Sequence, residues 1–360
     1  MWPYVLLIIL PITLQHITIG KATLSIAEVK RKSDFSMKLF WVLLFAMLVL
    51  RHETIGIDLP TYKHIYGFIT NSSWAAALGR SPEVAYSFLN KVLSLFTHDF
   101  RWSIVVSAIL GTYFVSRAYV KYSKDAALTI ALFSIMSNFV LLFSGLRQCI
   151  AISLGFLAFE FVRKKKLVPF LIVVFVAIFF HTSAFMILFM YPLYHIRLKK
   201  NWLIFIIPVM CALLIFNQQV FGFLTVILNM FSDYDTQITY TGSYVMLILF
   251  VLFAVFSYLI PDETKMDADT FGLRNFMLFS VALQMFAPLH NLAMRMNYYY
   301  IIFIPLLMPK IIECRSERWS QVAVVARHVM IVFFVAYFFL TAPDSNTLQT
   351  FPYRFFWENV

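Results

Sequence analysis

The chain has 360 residues, of which 61% are hydrophobic and only 13% charged, and it carries a net charge of +11. Soluble domains hold about 25% charged residues, so these proportions exclude a soluble domain with a single anchor and point to one integral membrane domain over residues 1–360. Lys and Arg gather in short loops between apolar runs, which accounts for the positive balance without a nucleic-acid partner.

The first apolar run covers residues 1–19. It lacks a basic leading segment and a small-residue cleavage site, so it reads as an uncleaved first span. The loop 20–38 holds Lys21, Lys30, Arg31, Lys32 and Lys38 and is expected on the cytoplasmic side. A second span, 37–55, then delivers residues 51–66, RHETIGIDLPTYKHIY, to the outer face. Gly56 and Pro60 break any straight continuation of that helix. Residues 51–101 form the expected periplasmic loop. Within it, 82–96 reads as an amphipathic helix with Pro82 at its start and Ser81 as its cap. Charge parity makes this helix re-entrant or surface-lying, with both ends outside.

Further spans are expected at 103–119, 126–144 and 146–162, with Gly145 and Arg147 at an outer turn. Residues 167–196 lie between basic clusters and are too few for two full crossings. Two short helices meeting at 181–183 keep the alternation; one long tilted span is the rival reading. A span at 201–217 leads to a second outer loop, 218–243. Spans at 244–260, 274–289, 297–312 and 321–341 follow, and an aromatic tail, FPYRFFWENV, ends the chain outside. The fold class is therefore an all-α polytopic bundle of about 12 transmembrane segments. The unbroken apolar runs argue against the alternating strands of a β-barrel. Cys149, Cys211 and Cys314 have no metal-ligand spacing and read as buried small residues.

Several ionisable residues sit where apolar surroundings make them costly. Arg51, Arg147 and Arg295 stand at the outer ends of spans. Each either snorkels to the headgroups or binds an anion, and three together favour a shared ligand such as a lipid diphosphate, whose oxygens suit the guanidinium fork. Glu83, Tyr86 and Asn90 share a helix face. Glu83 is either a first-turn acid or a buried base with a raised pKa. His181, in IFFHTSAF, and His290 are either hydrogen-bonded core residues or site groups. Asp58 is a base or one half of an ion pair. No nucleotide-binding, zinc-protease or serine-hydrolase motif is present, and no metal or cofactor is expected.

The ordered set RxxxxGxDxxxY (Arg51, Gly56, Asp58, Tyr62), Glu83 with Tyr86, RQxxA (Arg147, Gln148, Ala151), HxSA (His181, Ser183, Ala184) and RxxxY (Arg295, Tyr299) resembles the EpsG family, which belongs with the Wzy-type bacterial polysaccharide polymerases. The resemblance covers residues 45–312. It implies a multi-pass glycosyltransferase of the bacterial inner membrane, active on the periplasmic face, that joins oligosaccharide repeat units carried on undecaprenyl diphosphate. The pathways implied are those of capsule, exopolysaccharide or O-antigen, with membrane lipid and a chain-length regulator protein as partners. On that reading Glu83, then Asp58, then His181 are candidates for the base. Arg147 and Arg295 hold the diphosphate, with Arg51 as a third contact or an Asp58 partner, and Tyr62, Tyr86, Gln148, His290 and Tyr299 support the sugars. A lipid-linked oligosaccharide flippase, an O-antigen-ligase-like enzyme and a membrane O-acetyltransferase are the rival readings.

Overall fold

A computed structural model of the chain describes residues 1–16, 26–79, 81–229, 244–341 and 349–358. Residues 20–25 of the loop expected at 20–38 and the polar part of the outer loop expected at 218–243 lie outside these residues, while 26–38, expected in that loop, are helical. The described residues form 18 α-helices and no strand ladder, and they gather into two compact units. Unit 1 comprises Met1–Leu188 and Val325–Val360; unit 2 comprises Phe189–Val324.

Unit 1 begins with α1 (Trp2–His16) and α2 (Ile26–Leu50). Three short helices follow: α3 (Leu59–Asn71), α4 (Trp74–Gly79) and α5 (Val84–Leu93). The long α6 (Arg101–Tyr122) precedes α7 (Ala126–Ile135), α8 (Ser137–Ser144), α9 (Leu146–Arg163) and α10 (Leu167–Phe180). The helix α9 packs against α6 and α10, α2 packs against α1 and α6, and α5 lies against α3 and α10. All of α7 from Ala126 to Ser134 is buried, whereas α10 leaves Ile172, Phe175 and Val176 exposed. Apolar side chains on an outer helix face suit a lipid solvent, where only backbone groups need internal partners.

Local sequence sets the helix ends. The Asp125 side chain accepts the Leu128 N–H and starts α7. The span expected at 126–144 is bent by 65° at Met136, whose backbone is extended. The break expected at 181–183 is present. There α10 stops at His181 (φ −156°, ψ 122°), and a 3-10 segment, Thr182–Phe189, takes over. Pro82 does not begin its helix, because α5 starts at Val84 after a non-helical Glu83 (φ −85°, ψ 61°). Pro82 keeps Ser81 out of the helical region, so the first helical turn is displaced beyond Glu83.

The carboxyl-terminal residues strap the end of α2. Phe355 bridges Arg51, the His52 N–H donates to the Arg354 carbonyl, and the Gly56 N–H donates to the Gln349 carbonyl. The hydroxyls of Tyr353 and Tyr4 donate to the Met47 and Thr350 carbonyls at 2.8 and 2.6 Å. Gly56 lies beneath this strap at φ +113°, where a Cβ would meet the Phe143 carbonyl.

Unit 2 holds α11 (Met190–His195), α12 (Leu203–Ile215), α13 (Asn217–Asn229), α14 (Tyr244–Leu259), α15 (Ala268–Gln284), α16 (Asn291–Ile301) and α17 (Ile304–Glu313). The last helix, α18 (Ser320–Thr341), starts in unit 2 and continues into unit 1. The span expected at 297–312 is divided between α16 and α17, with Pro305 at the start of the second. Residues 218–229, expected in a loop, are helical in α13. Cys211 is exposed on α12, contrary to the expectation of burial, while Cys149 and Cys314 are buried. Among the described residues, three helices are long and apolar enough to cross a membrane, or up to five if each bent pair is one span.

Gly56→Ala is expected to lose at least about 2 kcal/mol through strain and collision with Phe143. Gly67→Ala on the open face of α3 should be neutral or gain up to about 1 kcal/mol from helix propensity. Thermal melts in detergent compare the two; equal stabilities would show that the turn at Gly56 is not under this constraint.

Candidate functional site

The non-helical backbone at Glu83 turns its side chain away from its own helix. The Glu83 carboxylate caps nothing in α5. Instead Oε1 lies 2.5 Å from His181 Nδ1 and 3.4 Å from the Thr182 N–H. That N–H opens the 3-10 segment, and a carboxylate from another part of the chain serves as its acceptor. Glu83 Oε2 forms an ion pair with Arg147 Nη1, a charge contact rather than an aligned hydrogen bond. Three separate stretches thus meet at one carboxylate: the start of α5, the start of α9 and the end of α10.

The aromatic wall comes from α3 and α5. Arg147 Nε donates to the Tyr62 hydroxyl at 3.4 Å, and its guanidinium lies 5.3 Å from the Tyr62 ring centre. Tyr62 meets Tyr86 edge-on at 5.6 Å. Asn90, one turn beyond Tyr86, donates to the Tyr86 carbonyl and accepts from the Ser103 hydroxyl of α6. Leu59, Leu146 and Ile150 complete the packing behind these rings. The Glu83 side chain is 7% exposed, against 14% for His181 and 27% for Arg147. The anion therefore sits behind, and the imidazole and guanidinium form the accessible edge.

Burial by itself raises the Glu83 pKa. The His181 hydrogen bond, the His181 and Arg147 charges and the Thr182 N–H outweigh it, so the carboxyl sits below its ordinary value. This corrects the expectation of a raised pKa. Glu83 is ionised at neutral pH, and an ionised carboxylate at His181 Nδ1 fixes that nitrogen as the donor. In the neutral ring the other nitrogen, Nε2, then carries the lone pair.

The remaining sequence candidates have other settings. Asp58 accepts the Ser144 hydroxyl at 2.8 Å, while its own N–H donates to the same oxygen. That pair fixes the entry of α3 against the end of α8, and Asp58 forms no ion pair with Arg51. Arg51 is 1% exposed, donates Nη1 to the Leu142 carbonyl at 3.1 Å and lies over Phe143. It is thus a core cation joining α2 to α8, not a residue presented to a ligand, because the tail covers the end of its helix. Gln148 is buried in α9. In unit 2, His290 caps α16 by accepting the Leu292 N–H and stacks on Phe221, Arg295 is exposed, and Tyr299 is buried. Sequence reading missed Thr182, Ser144 and the buried Lys91, which donates to the Ile69 and Ser72 carbonyls at the end of α3. The position of Ser144 three residues before Arg147 was its only signal. Among the described residues no group of three His, Cys, Asp or Glu side chains is placed to hold a metal ion.

The model of the EpsG family matches residues 35–355 of the chain. No curated protein and no solved structure matches it.

The lowered Glu83 pKa has a defined sign. Its ion pair contributes stability in full above the ordinary glutamate value of 4.5 and loses it as the pH falls through the lower folded value. A difference infrared spectrum of the wild-type chain against Glu83→Gln is expected to show the Glu83 carboxylate more than half ionised at pH 4.5. A protonated carboxyl band at that pH would contradict the network.

Proposed function

The chain belongs to the EpsG family, and from that membership we propose that it is a polymerase joining lipid-diphosphate-linked oligosaccharide repeat units. The family match and the apolar helices make it a multi-pass membrane protein of polysaccharide biosynthesis. In the proposed arrangement about 12 segments lie in the bacterial inner membrane, and the start of α9 faces the periplasm, as the positive-inside rule requires. The observation that carries the proposal is the Glu83–His181 pair set against Arg147 and Tyr62.

The reaction makes one glycosidic bond. The acceptor hydroxyl attacks the anomeric carbon of the growing chain, and the bond from that carbon to the diphosphate oxygen breaks. His181 Nε2 takes the hydroxyl proton. Glu83 holds the ring by Nδ1 and stabilises the imidazolium that forms, the division of labour between acid and histidine known from catalytic triads. This places Glu83 as orienter and His181 as proton acceptor, reversing their order as candidates from sequence. Arg147 keeps part of its donor set toward the accessible edge, where it can stabilise charge on the departing lipid diphosphate. Tyr62 holds the guanidinium from one side. Asp58 positions α3 and takes no proton.

A flippase of lipid-linked oligosaccharide is the alternative from a different class, and one assay separates the two. Purified protein in vesicles, given lipid-linked repeat units and no nucleotide sugar, is expected to yield longer lipid-linked ladders and free undecaprenyl diphosphate. Movement of the lipid across the bilayer without ladders would favour the flippase. His181→Ala is expected to lower turnover by about 10²–10⁴, the usual worth of a general base. Arg147→Lys, which keeps the charge but loses the fork, should also impair it. Ladder formation that is unchanged in both variants would remove this site from the reaction.

A further inference from the structure

At the far end of α9 lies a second constellation. Along the helix, Glu160 stands about 20 Å from Arg147, at the ordinary rise of about 1.5 Å per residue. There α2, α6 and α9 line an open groove of about 950 Å³ within unit 1. Its wall is apolar and aromatic, with Trp41, Phe114, Phe156 and Leu157 among the lining side chains. Its rim is cationic: Lys38 comes from α2, Arg117 and Lys121 from α6, and Lys164 from the end of α9. All four are exposed.

Glu160 is the one acid among the lining residues. It is already engaged by Lys121 at 3.0 Å, by Arg163 at 3.8 Å and by the Tyr122 hydroxyl. It therefore offsets the cluster beneath the rim and leaves Lys38, Arg117 and Lys164 without an acid among the lining residues. Arg117 Nη1 donates to Tyr113, and its guanidinium lies over that ring, so its position is fixed. Long basic side chains lay their stems on apolar surface and hold their heads at its edge. A cationic rim above an apolar wall complements a ligand with an anionic head and a hydrocarbon tail.

The geometry points to a binding site for one anionic phospholipid, its phosphate held by Lys38, Arg117 and Lys164 and its acyl chain laid against Val42 and Leu157. The occupant is a membrane phospholipid rather than the lipid-diphosphate carrier, because the groove and the Glu83–Arg147 site occupy opposite ends of α9. The lipid would brace α2, α6 and α9 together, and α9 carries Arg147. The inference rests on binding, not on turnover, and stands apart from the proposed reaction.

The test uses the full chain in mixed phosphatidylglycerol and phosphatidylcholine vesicles, followed by gentle detergent extraction and native mass spectrometry. The wild-type chain is expected to retain phosphatidylglycerol in preference to phosphatidylcholine. The triple variant Lys38→Gln, Arg117→Gln, Lys164→Gln should lower that retention at least about tenfold. Leu157→Trp, which fills the wall and removes no charge, should lower it as well. Lys165→Gln with Lys166→Gln, which removes two exposed cations outside the lining, should leave it unchanged. Melting temperatures identify any variant that fails to fold. The proposal is overturned by equal losses in the triple and the control variant, by retention without headgroup preference, or by displacement with equimolar undecaprenyl diphosphate.

Discussion

The ion pair and hydrogen bond that meet at the Glu83 carboxylate hold the site together. A buried carboxylate is costly unless charge and donors surround it. Here they come from three stretches that also pack on one another through apolar side chains. Arg147 supplies the charge from α9, His181 supplies a ring nitrogen from the end of α10, and Thr182 supplies its backbone N–H. The satisfaction of one anion therefore positions every polar group along the accessible edge. It also explains the broken helix after Phe180, since a continuous helix would have used the Thr182 N–H internally.

A second layer supports the first. Gly56, Asp58 and Ser144 all act on the entry of α3, which carries Tyr62. The carboxyl-terminal residues lie over this entry through backbone bonds to Leu50, His52 and Gly56. Arg51 has its guanidinium on a carbonyl and an aromatic ring, where a cation can be buried with partial compensation. Its contacts join the end of α2 to α8 and to the carboxyl-terminal residues. The two ends of α9 then serve different chemistry. One end holds the cation that faces the proposed reaction, and the other borders a cationic rim over an aromatic groove. A single rigid helix links them.

Composition alone determined the helical membrane class, because 61% hydrophobic residues in unbroken runs leave few other solutions. The order of the motifs also carried the family, and the break at His181 followed from a run too short for two crossings between basic clusters. Tyr62, Glu83, Tyr86, Arg147 and His181 were all legible as candidates, since a polar residue in an apolar run is conspicuous. The tertiary structure decided which of them touch. Hydropathy carries no information about the direction of a side chain, so Arg51 looked equivalent to Arg147 although one is enclosed and the other reaches an edge. It could not show that Glu83 is held ionised, because burial and counter-charge pull its pKa in opposite directions and only distances decide the balance. The bend at Met136 and the division into two units were likewise invisible, because apolar runs continue through both. Sequence identified the groups that are expensive to bury, and the fold determined what compensates each one.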